Sequence, residues 1–337
     1  MKIKLYNNKT IGITGGTGSF GTSFLKHILK FPIKEIRILS RDEEKQNSLR
    51  YLYSNKNIKF ILCDVRDKYD LIRKTAGVDI LIHAAALKQV PSCEFFPEHS
   101  IKTNILGSMN VAEAAILNKI KNVVLLSTDK AVYPINVMGM SKAIAEKIFV
   151  SKSFITNSTK FLIIRYGNVL ASRGSIVRRF IDQAKNNCNL TITNYEMSRF
   201  VMTLNNTFEL LDFALSEGKT GQTIIQKCKS IMILDLAKSI LKIMNKKNLK
   251  IDIIGIRHGE KVYEVLASKE EIERAKFYKN FIIINKDSRS LNYENYFDKG
   301  SKYKNSKEYN SQTENKITIE EMLNLLKTDN SIKEYVK

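Results

Sequence analysis

The chain has 337 residues, 43% of them hydrophobic, and a formal net charge of +21. Length and apolar share suffice for a full core in one large or two unequal domains, which excludes a disordered chain or a minimal module. No apolar run approaches the ~20 residues that span a bilayer. The opening MKIKLYNNKT lacks the apolar stretch of a signal peptide, so a cytoplasmic protein without membrane insertion is expected. The lysines are spread along the chain rather than gathered into one arm or helix, which speaks against nucleic acid as partner. Anionic ligands held in a cleft would themselves favour a positive field. Cys63, Cys93, Cys188 and Cys228 form no CxxC pair, and neither a disulfide framework nor a metal site is expected.

Through the first half, short apolar runs alternate with longer amphipathic ones, the pattern of parallel strands joined by crossover helices. Strands are predicted at Lys9 to Thr14, Glu35 to Leu39, Ile58 to Leu62, Asp79 to Ile82, Asn122 to Ser127 and Phe161 to Arg165. Helices are predicted at Ser19 to Leu29, Ser100 to Asn118 and Val137 to Ser153. The expected fold class is α/β, a doubly wound parallel sheet of the Rossmann kind over residues 1–165, with ligands at the carboxyl ends of its strands. Residues 166–298 are assigned to a smaller mixed α/β substrate lobe interleaved with the first domain, with helices at Asn205 to Glu217 and Leu234 to Asn245. Residues 299–337 are read as a flexible segment and a C-terminal helix. Within them Lys299 to Lys316 is polar enough for a mobile linker, and Thr318-Ile-Glu-Glu321 is a capping box opening a helix that ends near Lys327.

Thr14-Gly-Gly-Thr-Gly-Ser-Phe-Gly21 follows the first strand and opens the first helix, the context that makes a glycine pattern specific. Glycine lets the backbone approach a pyrophosphate, and the helix N-terminus offers N–H groups and a partial positive charge. Contacts are expected from Gly15, Thr17, Gly18, Ser19, Phe20 and Gly21. At the end of the second strand stands Ser40-Arg41-Asp42. An Arg there suits a 2′-phosphate, with Lys45 assisting, so NADP is the expected cofactor in preference to NAD. Asp64 and Val65 suit the adenine ring, and Ala84, Ala85 and Ala86 supply small side chains beside the cofactor. Asn104, Ser127, Lys142, Tyr166 and Asn168 complete the expected cofactor site.

The segment from Ser127 through Thr128, Asp129, Lys130 and Met138 to Lys142 begins at a strand's carboxyl end and runs into a helix. An acid, an amine and hydroxyls arrive together at the ligand edge. This segment, the glycine loop, Ala84-Ala85-Ala86-Leu-Lys88-Gln-Val-Pro91, Arg165-Tyr-Gly-Asn168-Val, Ser172-Arg173-Gly-Ser and Arg257-His-Gly-Glu260-Lys261 resemble extended short-chain dehydrogenases. Within them the closest resemblance is to the capsule-polysaccharide subfamily of UDP-N-acetylglucosamine 4,6-dehydratases, over about the first 290 residues. Relatives carry Tyr-x-x-x-Lys, whereas Met138 stands here in the Tyr position with Lys142 retained, and a thioether cannot transfer a proton. Two readings follow, a catalytically dead relative or a subgroup that oxidises C4 with another base. The second is preferred because Asp129 and Lys130 survive and because Met resembles the dehydratases that also invert C5.

The resemblance implies oxidation at C4, removal of the C5 proton by Lys130 with a pKa lowered by burial and nearby cations, and protonation of the departing C6 hydroxyl by Asp129. Lys142, Thr128 or a water is the C4 proton acceptor. Lys88, Asn168, Arg173, Arg199, Arg257 and Glu260 are the expected contacts to the UDP-sugar, with Arg suited to the diphosphate. His83 and His258 are read as structural histidines, Tyr133 as a weaker catalytic candidate, and the assembly as a homo-oligomer. The competing functions are a UDP-hexose 4-epimerase and a non-catalytic NADP-binding protein.

Overall fold

The computed structural model describes residues 5–170, 172, 174–287, 305–329 and 332. The first half runs β1 (Thr10–Thr14), α1 (Ser19–Ile28), β2 (Glu35–Ser40), α2 (Glu43–Leu52), β3 (Ile58–Leu62), α3 (Lys68–Thr75), β4 (Ile80–His83), α4 (Val90–Phe95), α5 (Pro97–Ser100), α6 (Gly107–Leu117), β5 (Asn122–Thr128), α7 (Val137–Lys152) and β6 (Lys160–Tyr166). The second half runs β7 (Asn168–Val169), α8 (Ile176–Lys185), β8 (Leu190–Ile192), β9 (Ser198–Met202), α9 (Leu204–Glu217), β10 (Gln222–Gln226), β11 (Ser230–Met232), α10 (Ile233–Ile243), β12 (Ile251–Ile253), β13 (Val265–Ala267), α11 (Lys269–Glu273), β14 (Ala275–Tyr278), β15 (Phe281–Ile284), β16 (Tyr309–Asn310) and α12 (Ile319–Thr328).

Nine strands form one sheet in the order β14-β15-β10-β6-β5-β4-β1-β2-β3. β1 to β6 and β10 are parallel, and β15 and β14 close the edge antiparallel. The strand order reverses between β1 and β4, which opens a crevice at their carboxyl ends. The central strands are apolar on both faces because helices cover both. In β5, Val124 and Leu126 pack with Phe24, Ile28 and Phe208 of α1 and α9, while Val123 and Leu125 pack with Val111, Ala115 and Phe149 of α6 and α7.

Residues after Arg165 return to this sheet as β10, β14 and β15. A second core joins Phe180 and Ile181 of α8 to Leu236 and Ile240 of α10 and Met322 and Leu326 of α12. The C-terminal helix is therefore packed into the lobe.

Two expectations are corrected. The helix predicted from Ser100 to Asn118 is broken by a π-helical stretch, Ile101–Leu106, before α6. Its widened turn carries Asn104 inward, where the amide bonds Leu87 N–H, Leu87 C=O and the Ser141 hydroxyl. The polar stretch from 299 to 316 is not a mobile linker where it is described. β16 pairs with β13, and Tyr309, Asn310 and Ser311 are buried. The Tyr309 ring stacks on Phe200 with centroids 5.2 Å apart, and its hydroxyl takes the Cys228 N–H and donates to the Cys228 carbonyl. A few buried residues among many polar ones do not change a compositional reading. Residues 299–304 of that stretch lie outside the described residues.

Arg165 on β6 ties α7 to the segment that carries β13 and α11. Its guanidinium donates to both Glu146 oxygens on α7 at 2.8 and 2.6 Å, to both Glu271 oxygens on α11 at 2.7 and 2.8 Å, and to the Leu266 carbonyl at 3.1 Å. Arg165→Met leaves two carboxylates without their counter-charge. Removing one partner of a buried pair costs roughly 3–5 kcal/mol, so urea unfolding should show a loss of that order. A loss below about 1 kcal/mol would show that the brace does not stabilise the fold.

Candidate active site

The cofactor cradle is built where β1 gives way to α1. Gly15 has φ of +65°, and a Cβ on it would lie 2.7 Å from the Ala85 Cα, so the glycine loop and the Ala84-Ala85-Ala86 turn touch through backbone alone. A Cβ on Gly21 would overlap the Gly16 carbonyl. No side chain caps α1 at Gly18 and no acid stands in its first turn, which leaves the helix end suited to an anion. Thr17 and Ser40 hydroxyls, 2.8 Å apart, tie the loop to the end of β2. Ser19 is half-buried at the helix start. The half-buried Phe20 ring packs against Phe24 and Phe208, so it reaches outward through its main chain. This chemistry fits a dinucleotide pyrophosphate.

At the end of β2, Arg41 is 54% exposed and 3.9 Å from the Asp64 carboxylate. Asp42 caps α2 through the Lys45 N–H and pairs with the Lys45 ammonium. The acid that would compete for a ribose hydroxyl is thus occupied, and so is Lys45. Asp64 is further held by Arg66, whose hydrogen bonds and charge outweigh burial and keep its carboxyl below the usual range. Asp64, Arg66, Tyr69 and Lys102 line an open concavity there, and Val65 is buried beside it. Two expected cofactor contacts turn inward instead. Asn104 is spent on Leu87 and Ser141, and the Ser127 hydroxyl donates to Glu146.

The candidate catalytic residues Asp129 and Lys130 stand on a 3-10 turn, Asp129–Ala131, between β5 and α7. Asn136 caps α7, and Gly139 lets the helix close on the turn, because a Cβ there would overlap the Lys130 carbonyl. Lys130 Nζ donates to Asp129 Oδ1 at 3.0 Å and lies 3.2 Å from Glu264 Oε1. Thr128 Oγ1 donates to the same Asp129 oxygen at 2.8 Å. Asp129 and Glu264 are 1% and 2% exposed, whereas Lys130 is 25% exposed. Asp129 Oδ2, Glu264 Oε2 and Asn168 Oδ1 are buried without a hydrogen-bond partner. Tyr166 is half-buried near Asp129, and burial followed by that charge pushes its phenol up.

The expected depression of Lys130 is overturned. Burial alone would lower its pKa, but the charges of Asp129 and Glu264 prevail and hold it above the ordinary lysine value. Met138 and Lys142, one turn apart on α7, are both buried, and burial pushes the Lys142 amine down to about 8 against the partial support of Glu146. Glu264 was missed from sequence; its one signal is a lone acid directly before the buried run Val265-Leu266-Ala267.

Of the expected sugar-nucleotide contacts, Arg199 is buried. It donates to the carbonyls of Ser198, Val262 and Lys261 and lies 3.7 Å from Glu264 and 3.8 Å from Glu260. Arg257 and Lys88 are exposed, Glu260 is half-buried, and Arg173 lies outside the described residues. A further cation, Arg179, was not foreseen. Its guanidinium donates to the Thr191 hydroxyl at 2.7 Å, and burial and then the charge of Arg257 lower its pKa. His83 is structural as expected, lying 2.8 Å from the Thr14 hydroxyl and 3.0 Å from the Ser108 hydroxyl, with burial pushing it down to about 3. His258 is instead exposed, 3.3 Å from Glu94. Tyr133 points away from the turn and donates to Glu270.

The relatives agree with this architecture. Proteins named UDP-glucose 4-epimerase from Rickettsia bellii (strain RML369-C) and Rickettsia canadensis (strain McKiel) are 46% and 45% identical, each covering 99% of both chains. The X-ray structure of Pen from Bacillus thuringiensis superposes with a TM-score of 0.88 at 34% identity, covering 97% of this chain and 99% of that one. DesIV, a dTDP-glucose 4,6-dehydratase from Streptomyces venezuelae with NAD and TYD bound, shares the fold at a TM-score of 0.68 and 18% identity, over 75% of this chain and 86% of that one. The family model described as polysaccharide biosynthesis protein matches residues 11–286, and the one for its C-terminal part matches 287–333. The chain belongs to the polysaccharide biosynthesis protein family.

Proposed function

We propose that the protein is an NADP-dependent UDP-N-acetylglucosamine 4,6-dehydratase that inverts C5, yielding UDP-2-acetamido-2,6-dideoxy-β-L-arabino-hex-4-ulose for surface polysaccharide synthesis. The observation that carries this reading is the Lys130 amine held between Asp129 and Glu264 at the carboxyl end of β5, with Met138 where a phenol would stand. NADP supplies, when bound, hydride acceptance from C4 and its return to C6. Gly15, Gly18 and Gly21 with the α1 N-terminus would hold its pyrophosphate, and Arg41 its 2′-phosphate.

With no phenol at position 138, the O4 proton passes to the Thr128 hydroxyl as that hydroxyl gives its own to Asp129 Oδ1. The 4-keto sugar then has an acidified C5–H. Lys130, as the free amine, removes that proton, and Asp129 passes the proton it received to the departing C6 oxygen, which leaves as water. A new proton reaches C5 from the opposite face and gives the L-configured product. Arg257 and Arg179 supply the positive end for the UDP diphosphate, and Arg199 acts on the site through Glu264 and Glu260.

A second reading is a UDP-glucose 4-epimerase, favoured by the names of the Rickettsia relatives. Epimerisation requires one proton acceptor at O4 and hydride return to C4. It gives no task to an acid and amine pair flanking C5 and C6, and that surplus favours dehydration.

Proton NMR of the reaction with UDP-N-acetylglucosamine in deuterated water should show a 6-deoxy-4-keto sugar with deuterium at C5. A product that keeps its C6 hydroxyl and differs only at C4 would replace the dehydratase by the epimerase. Lys130→Ala should lower elimination by ~10²–10⁴-fold while NADP binding stays nearly unchanged. Arg41→Ala should cut the preference for NADP over NAD by roughly tenfold in titration calorimetry, since it removes a bidentate donor suited to the 2′-phosphate. Equal affinity of the unaltered protein for both would refute that role. Met138→Leu should keep most of the activity, and a loss as deep as that of Lys130→Ala would give the thioether a chemical role.

A further inference from the structure

The Lys130 ammonium faces two buried carboxylates, and the mechanism so far employs one. Glu264 Oε1 lies 3.2 Å from Lys130 Nζ, and Glu264 Oε2 is buried with no hydrogen-bond partner. Its backbone is fixed from both sides, since its N–H donates to the Ser311 hydroxyl at 3.0 Å and its carbonyl accepts the Ser311 N–H at 2.8 Å. The other charged groups around it are Arg199, with Nε 3.7 Å away, and Lys261, with Asp129 beyond Lys130. Arg199 is committed to three carbonyls, and Lys261 donates to the Val132 carbonyl at 2.6 Å. Lys130 is thus the link between Glu264 and the cleft.

Asp129 holds Lys130 at 3.0 Å and Arg199 offsets the charge of Glu264, but the Glu264 Oε2 left without a hydrogen-bond partner is costly and points to a further task. Asp129 already carries the proton that travels from O4 to the C6 oxygen, so it is not free to take another from Lys130.

We propose that Glu264 is a positioning residue for proton transfer, accepting the proton of the Lys130 ammonium so that a free amine meets C5 of the sugar. The inference rests on the dehydratase reading above. In this step an N–H bond of Lys130 breaks and an O–H bond forms on Glu264, and an ammonium and a carboxylate become an amine and a carboxylic acid. The amine then takes the C5 proton, and the C–H electron pair passes into the C4 carbonyl as an enolate. The enolate expels the C6 oxygen, protonated by Asp129. Glu264 releases its proton to solvent as the cycle closes, and C5 takes one from solvent on the opposite face, so protons balance.

Glu264→Gln separates this role from simple electrostatics because the two predict opposite signs. Removing one of the two carboxylates that hold the proton on Lys130 would, by charge alone, free the amine and speed C5 exchange. If Glu264 accepts the proton, exchange of C5 with deuterated water should instead slow at least tenfold at pH 7, with KM for UDP-N-acetylglucosamine within about threefold of the unaltered enzyme. The lost rate should return as pH rises from 7 to 9.5, where hydroxide replaces the missing acceptor, while the unaltered enzyme stays flat. Glu264→Asp, which keeps a carboxylate and serves if the Gln variant does not fold, should fall between the two. Equal or faster exchange in Glu264→Gln, or parallel pH profiles, would overturn the relay and leave the dehydratase reading standing. Absence of C5 deuterium with the unaltered enzyme would overturn both.

Discussion

The geometry of the site depends on a guanidinium that does not belong to it. Arg165 sits near the carboxyl end of β6 and makes its hydrogen bonds in two directions. On one side is Glu146, which also takes the Ser127 hydroxyl and so fixes the strand end that continues into Thr128, Asp129 and Lys130. On the other side are Glu271 and the Leu266 carbonyl, two residues beyond Glu264. The distances from Lys130 to its two carboxylates are therefore set by elements that a single buried cation holds together. An Arg suits this task because its planar fork serves two carboxylates at once and is never deprotonated.

Charge balance explains why so many ionised groups tolerate burial. Asp129 and Glu264 face Lys130, and Arg199 supplies a second positive charge beside Glu264. Burial opposes every one of these charges singly, yet each is offset by a neighbour, and the outcome is a lysine that keeps its proton in the ligand-free protein. If Lys130 is the base proposed above, it begins protonated and has to be relieved of its proton, and Glu264 is the neighbouring carboxylate left to take it. Adjacent Asp and Lys in a sequence identify the participants, but their protonation states follow from the third member, which arrives from another part of the chain.

What was legible in the sequence follows from how local each signal is. β1 to β6 were placed within a residue or two because the central strands, covered on both faces, read as continuous apolar runs, and the glycine loop because its close backbone contacts require glycine at fixed offsets. The π-helical turn at Ile101–Leu106 left no periodic trace, since it alters the helix by too little to shift the apolar pattern. β10, β14 and β15 were not foreseen because they lie outside the regular strand and helix alternation of the first half, and two of them pair antiparallel at the edge. Within the site, Asp129, Lys130, Met138 and Lys142 lie on one segment and were readable together. Glu264 and the partnership of Arg165 with Glu271, 106 residues apart, exist only through folding. Asn104 and Ser127 illustrate the converse, since these polar side chains near the ligand edge are spent on the Leu87 backbone and on the Glu146 carboxylate.

Met138 changes the meaning of Lys142. In a Tyr-x-x-x-Lys helix the ammonium has a phenolate to stabilise, and the phenolate in turn keeps the amine charged. Here the residue one turn earlier is a buried thioether, which desolvates the amine and offers it no charge, and Glu146 supplies only part of the compensation. With its pKa brought down to about 8, Lys142 is still mostly protonated at neutral pH, by about ten to one at pH 7. It therefore keeps its positive charge, but on the dehydratase reading it has lost the partner through which that charge would act on O4. On that reading the proton chemistry at O4 falls to the neighbouring strand end, where Thr128 already donates to Asp129. Absence of the phenol and presence of the buried acid and amine cluster are then, under the proposed function, two sides of one rearrangement, in which the work of a single tyrosine would move from α7 to the turn after β5.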